Sequence, residues 1–248
     1  MKKFGLIGHP IAHSLSPALF KAAYDGKYAY DLIEGEDFET SYRRFIEEYD
    51  AINVTAPFKE AAFAKADILS EECASTGATN LLVKTPEGIK AYNSDFLGVR
   101  MWLSEVAEDL KGVKILIVGL GGAGKAAAAA AESLGMEVIR MNRTVRDSTT
   151  HPLDEFRQYF READIIIYNI PTAIPELKEL TESDFAADRP KHILEANYKD
   201  PSMAEILKPF GSKAVYTGGR TWLLYQAVTG YEILTGEKPD LRRMSDVL

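Results

Sequence analysis

Short apolar runs rich in β-branched residues alternate with amphipathic stretches along the chain, the arrangement expected of α/β units around parallel strands. These runs predict strands over 3–8, 28–34, 51–55, 80–84, 114–118, 137–141, 164–169, 192–197 and 213–217. Helices are predicted to begin near Ser16, Asp37, Lys59, Ser70, Asp95, Gly122, Pro152 and Ser202. Phe96, Val99, Leu103, Val106 and Leu110 recur at helical spacing, so one helix should run from Asp95 to Leu110. A compositional break at Asp109-Leu110-Lys111-Gly112 precedes the strongest strand, Lys114-Ile115-Leu116-Ile117-Val118, and marks the start of a second domain. The helix before it is then a linker. Gly218-Gly219 punctuates the chain once more, ahead of an apolar helix from Thr221 to Leu234. The run Ala126 to Ala131 reads as small side chains that let a helix sit close against a sheet.

Composition narrows the function classes. With 248 residues, 46% hydrophobic, the chain can bury a large core and suits two modest domains. Its formal charge of -8 repels a polyanion, which argues against nucleic acid as a partner and for a small molecule. Any anionic ligand must therefore be met by local donors. The single cysteine, Cys73, allows no internal disulfide and no cysteine-rich zinc site, and it reads as a packing residue in a reducing cytoplasm. Phe4-Gly5-Leu6-Ile7-Gly8 is too short for a signal peptide and looks like a first strand. No stretch approaches the roughly 20 apolar residues that span a bilayer. The expectation is a soluble cytoplasmic protein without a membrane partner.

Gly119-Leu120-Gly121-Gly122-Ala123-Gly124 satisfies the G-x-G-x-x-G pattern directly after a strand and at the opening of a helix. That context points to a dinucleotide: a tight turn at Gly119, close backbone approach to a pyrophosphate at Gly121, and N–H groups of the helix start facing the anion. In an NAD site, an acidic residue about 20 positions on would bind the adenosine ribose. Here the next strand ends in Met141-Asn142-Arg143-Thr144-Val145-Arg146, with no carboxylate before Asp147. Two guanidiniums and a hydroxyl suit a 2′-phosphate, so NADP is favoured over NAD.

Three polar clusters fall at or near predicted strand ends, where open α/β sheets place ligand groups. They are Gly8 to Pro17, which holds His9, His13, Ser14 and Ser16; Asn53 to Glu60, which holds Thr55 and Lys59; and Tyr92 to Gly98, which holds Asp95. With Asn80 they offer hydroxyls, amides, an ammonium and a carboxylate, a set suited to a small polyhydroxylated acid. His9 and His13 read as shaping their loop, since two histidines alone make no metal site, and His151 and His192 read as turn or surface residues. No metal is expected.

On these motifs the chain resembles the shikimate dehydrogenases, which reduce 3-dehydroshikimate to shikimate with NADPH in chorismate and aromatic amino-acid biosynthesis. The similarity runs nearly end to end. It rests on the Ser-x-Ser-Pro segment, Asn53-Val54-Thr55-Ala56-Pro57-Phe58-Lys59, Asn93-Ser94-Asp95 for the usual Asn-Thr-Asp, the glycine loop, Asn142-Arg143-Thr144, the Tyr198 segment and Gln226. The resemblance implies an α/β fold of two domains with the active-site cleft between them. The substrate domain would be 1–95, completed by C-terminal helices in 219–248, and the Rossmann-type NADP domain 96–218. It further implies that Ser14 and Ser16 bind the substrate carboxylate with Tyr198 nearby, and that Thr55, Lys59, Asn80, Asp95 and Gln226 bind ring hydroxyls. Gly119, Leu120, Gly121, Gly122, Ala123, Asn142, Arg143, Thr144 and Arg146 would hold NADP. Ala196, Gly219 and Trp222 would line the nicotinamide, with Glu71 approaching the cofactor. The protein would be a monomer or homodimer.

Four departures touch the cofactor side. Glu195 stands where the family usually has Asp, Gly124-Lys125 where Ser-Arg is common, and Gly218-Gly219-Arg220-Thr221-Trp222 in place of the commoner Gly-Leu-Gly-Met run. The adenosine turn is also a residue short before Arg146.

Reducing a ring ketone needs a hydride at carbon and a proton at oxygen. Lys59 can supply that proton and stabilise the developing alkoxide, while Asp95 holds Lys59 and a substrate hydroxyl. Asp95 also suits the N-cap of the linker helix. Three alternatives stay open: a quinate/shikimate dehydrogenase using NAD or both cofactors, a non-catalytic NADP-binding regulatory module, and a folate-linked dehydrogenase of similar architecture.

Overall fold

A computed structural model describes residues 2–145 and 147–248. By contacts the chain divides into two units, Met1–Gly98 with Leu224–Leu248, and Val99–Leu223. The first runs β1 (Lys3–Gly8), α1 (Ser16–Tyr24), β2 (Ala29–Glu34), α2 (Phe38–Glu48), β3 (Ala51–Val54), α3 (Lys59–Ala64), β4 (Ile68–Leu69), α4 (Glu71–Thr76), β5 (Leu81–Thr85) and β6 (Gly88–Tyr92), then enters α5 (Ser94–Val106). The capping residues act as their types suggest: Asp37 accepts from Thr40 N at 2.8 Å to start α2, and Ser70 accepts from Cys73 N to start α4.

The six strands form one sheet in the order β2-β1-β3-β5-β6-β4. β1, β2 and β3 are parallel, as the sequence predicts, but β5 runs antiparallel to both β3 and β6. The sheet is therefore mixed, a correction to the expectation of parallel strands. β6 and the short β4 escape the hydrophobic pattern because they carry few buried apolar residues. In β6 only Ala91 is fully buried. The turn from β5 to β6 is closed by Thr85, whose hydroxyl donates to Gly88 O, and by Gly88 at φ +129°. The reversal has a functional consequence: the start of β5 and the end of β6 lie at the same edge as the carboxyl ends of β1 and β3.

Phe4, Phe20, Phe45 and Ile52 are fully buried in this unit, and each such side chain is worth about 1.5–3 kcal/mol on removal from water. Cys73 is buried with them, and burial pushes its thiol up to about 11, in keeping with a packing residue.

The second unit contains β7 (Lys114–Val118), α6 (Gly122–Ser133), β8 (Glu137–Met141), β9 (Thr150–His151), α7 (Phe156–Glu162), β10 (Ile165–Tyr168), β11 (Lys191–Glu195), α8 (Met203–Leu207) and β12 (Ala214–Thr217). Its sheet is parallel throughout, ordered β12-β11-β10-β7-β8-β9. The winding reverses between β7 and β10, where doubly wound sheets bind nucleotides. Ala126 to Ala131 are all buried, so the alanine face of α6 lies flush on the sheet. α5 ends at Val106, short of the predicted Leu110. Asp109 accepts from Lys111 N at 3.0 Å, and that local turn competes with another helical turn.

The chain ends in α9 (Gly219–Thr235) and α10 (Leu241–Ser245). From Leu224 onward it belongs to the first unit. Tyr231 packs edge-on against Phe20 at 4.8 Å and its hydroxyl donates to Ser16 O, fixing α9 beside α1. Among the described residues no helix is long and apolar enough to cross a membrane.

Candidate active site

The first unit gathers most of its chemistry at one edge of its sheet. Gly8 closes β1, and a Cβ there would lie 2.4 Å from Thr55 Cγ2, so glycine makes room for the Thr55 side chain. Beyond it, the Ser14 hydroxyl accepts from Ser16 N at 3.2 Å and donates to Ser16 Oγ at 3.1 Å. The two serines thus form one half-buried hydroxyl patch at the start of α1. Lys59 opens α3, and its Nζ lies 2.5 Å from Asp95 Oδ2. The lysine side chain is 27% exposed and the aspartate 14%, enough for access yet dry enough for the pair to act strongly on a bound group.

Asp95 stands in the first turn of α5 but does not cap it. The cap is Asn93, whose Oδ1 accepts from Phe96 N at 3.2 Å, while its amide nitrogen donates to Thr76 and Ala78. This corrects the N-cap expectation. Asn80 is buried, and its Oδ1 accepts from Ser94 N at 2.7 Å. Gln226, on α9, turns its Oε1 to the Ser94 hydroxyl at 3.5 Å. Gly98 allows this approach, since a Cβ there would meet Gln226 N at 2.7 Å. Asn53 lies in β3. Its Oδ1 accepts from Tyr30 at 2.7 Å.

Three amides thus commit their oxygens to inner donors. Their nitrogens have no partner among the described residues, so the edge is rich in donors: Asn53, Asn80 and Gln226 amides, serine and threonine hydroxyls, and one ammonium. That set suits a ligand rich in acceptors. Glu71, expected toward the cofactor, is exposed in the first turn of α4, and its neighbour Glu72 reaches Asn93 N at 3.5 Å.

In the second unit the glycine loop joins β7 to α6. Gly119 adopts φ +87°. A Cβ on Gly124 would lie 1.9 Å from Gly119 O, so the third glycine is required by the turn folding onto the helix. At Gly121 and Gly122 a Cβ would meet nothing, leaving a cradle above the helix start where the first N–H groups have no intrahelical acceptor. Asn142 braces this loop. It accepts from Leu120 N at 3.3 Å and donates to Thr144 O at 3.2 Å. Arg143 and Thr144 are exposed beyond β8. Arg146 lies outside the described residues. Asp147 turns its carboxylate onto Thr149 and Thr150, and those bonds hold it below the usual carboxylate range. The nearest acid is thereby occupied within its own turn. Asn169 follows β10 beside the loop with its Oδ1 buried and unpartnered among the described residues. The cradle, the free N–H groups and the exposed guanidinium fit a dinucleotide phosphate chain.

At the end of β11, Glu195 is fully buried. It accepts from Ser202 N and Met203 N at 2.6 and 3.1 Å and from Tyr216 Oη at 2.8 Å. Glu195, which stands where the resemblance leads one to expect Asp, is thus a structural staple that closes the loop carrying Ala196 and Tyr198. Gly219 packs on that loop, where a Cβ would lie 2.4 Å from Ala196 O. Tyr198 is half-buried in the same loop and Trp222 is buried on α9.

Comparison with known proteins decides the family. The shikimate dehydrogenase substrate binding domain matches residues 6–82, and the NAD binding domain of D-isomer specific 2-hydroxyacid dehydrogenases matches residues 88–194. A shikimate dehydrogenase (NADP(+)) of Staphylococcus aureus is 30% identical over 98% of this chain and 96% of its own. The chain belongs to the shikimate dehydrogenase family. A Haloarcula marismortui relative of the same name is also 30% identical, over 99% of this chain and 97% of its own. Among solved structures, a Thermus thermophilus shikimate 5-dehydrogenase in complex with NADP(H) and shikimate superposes with a TM-score of 0.78 at 26% identity, covering 100% of this chain and 98% of that one. A quinate dehydrogenase from Corynebacterium glutamicum, 21% identical with a TM-score of 0.81, shares the fold.

Proposed function

We propose that this enzyme catalyses the reversible NADPH-dependent reduction of 3-dehydroshikimate to shikimate. The observation that carries the reading is the Lys59–Asp95 pair at the edge that also holds Ser14, Ser16, Thr55, Asn80 and Gln226. The serine hydroxyls take the substrate carboxylate, and the amide donors with Thr55 take ring oxygens. NADPH, when bound, supplies the hydride to the ring carbonyl carbon. Lys59 Nζ gives its proton to the carbonyl oxygen as that oxygen becomes an alkoxide, and in oxidation the neutral amine takes it back. Asp95 holds the ammonium in place and gives it an electrostatic partner as charge shifts. The glycine cradle seats the pyrophosphate, and Arg143 with Thr144 and Arg146 receives the 2′-phosphate.

Steady-state rates with shikimate or quinate, each with NADP or NAD, test the reading. Shikimate with NADP should give the highest kcat/KM. A preference for quinate and NAD would overturn the substrate and cofactor assignment together. No turnover with any combination would favour a non-catalytic nucleotide-binding protein.

A further inference from the structure

Asn80 and Gln226 come from distant parts of the chain, yet both amide oxygens converge on Ser94. The Ser94 backbone N–H is an unambiguous donor at 2.7 Å from Asn80 Oδ1, so the Asn80 oxygen is held inward and its nitrogen outward. The Ser94 hydroxyl lies 3.2 Å from the same oxygen and 3.5 Å from Gln226 Oε1. With Asn80 already held by the backbone, the one hydroxyl proton is available to Gln226. Ser94 is 1% exposed, so water does not replace it readily. Small residues keep the approach close: a Cβ on Gly230 would stand 3.2 Å from Ser94 Cβ.

Resting on the proposed activity, we infer that Ser94 is a positioning residue for substrate recognition: its backbone N–H orients the Asn80 amide and its hydroxyl the Gln226 amide, so that each turns its N–H groups toward the ring. The hydroxyl touches no substrate itself. Its loss would leave Asn80 held by the backbone N–H as before and free the Gln226 amide to rotate, so a ring oxygen would meet a misdirected acceptor in part of the population. The position departs from the commoner threonine in the Asn-Thr-Asp motif, and both residue types carry the hydroxyl this role requires.

Ser94→Ala and Ser94→Thr separate positioning from packing when shikimate and NADP are varied independently and thermal melting is followed. S94A should raise the KM for shikimate about five- to tenfold, the worth of one net hydrogen bond, with kcat held within about threefold and the KM for NADP unchanged. S94T should bring the shikimate KM back to within about twofold of the native value. An S94A enzyme with native shikimate KM overturns the inference. So does a loss spread equally over shikimate and NADP with a lowered melting temperature, or a defect that S94T does not repair. Absence of shikimate turnover in the native protein would instead overturn the reading of the site itself, and the role of Ser94 with it.

Discussion

At the scale of single residues, the proposed chemistry rests on the pair at 59 and 95. Asp95 contributes a charge and a fixed acceptor 2.5 Å from Lys59 Nζ, and Asp95→Asn keeps the shape while removing the charge. The expected outcome is a fall in kcat of about 10²-fold, with a smaller rise in the shikimate KM, read from steady-state kinetics. Asp184, in the second unit, should have a pH signature of its own. Burial alone would raise its pKa, but Thr181 N–H, Arg157 and Arg161 outweigh that and bring the carboxyl down to about 2. A depressed folded-state pKa contributes stability above the unfolded value and loses it as pH falls through the folded one. The Asp184 contribution should therefore vanish between about pH 4 and pH 2. Asp184→Asn should lower stability by about 2 kcal/mol near neutrality, and the difference from the native protein in denaturant titrations should shrink over that acid window. A constant difference would contradict it.

At the scale of elements, the glycine loop shows where sequence and structure agree for physical reasons. Gly119 and Gly124 are fixed by backbone geometry, and G-x-G-x-x-G announces that geometry directly. Gly124→Ala would drive a methyl into Gly119 O, and it should abolish NADP binding in a fluorescence titration while the substrate unit still folds. Arg143→Ala should raise the KM for NADP by about tenfold or more and leave that for NAD nearly unchanged. Equal values for NADP would remove the phosphate clamp. The β5–β6 pairing was not legible. Gly88 to Tyr92 buries one small residue, so its strand is set by backbone pairing with β5 and leaves no periodic apolar signature. The capping of α5 was misread for a related reason: Asn93, Ser94 and Asp95 are all competent caps, and only the fold shows that Asn93 takes that role. Ser94 carried even less signal, because its role depends on Asn80 and Gln226, which lie 14 and 132 positions away in the sequence.

At the scale of the whole molecule, the proposed substrate groups other than Tyr198 belong to one unit and the glycine loop to the other, and the chain passes from unit to unit within α5 and α9. Ligand linkage gives a readout that needs no turnover. NADP at about one hundred times its Kd should stabilise the folded protein by about 2.7 kcal/mol, and NAD at the same concentration by less. The most direct test of the central claim follows a single turnover of shikimate oxidation through the near-ultraviolet absorbance of the reduced nicotinamide, in the native enzyme and in Lys59→Ala. The account predicts NADPH formation by the native enzyme and a loss of at least about 10²-fold in the variant, with shikimate affinity kept within several-fold. A variant that forms NADPH at a near-native rate would contradict it.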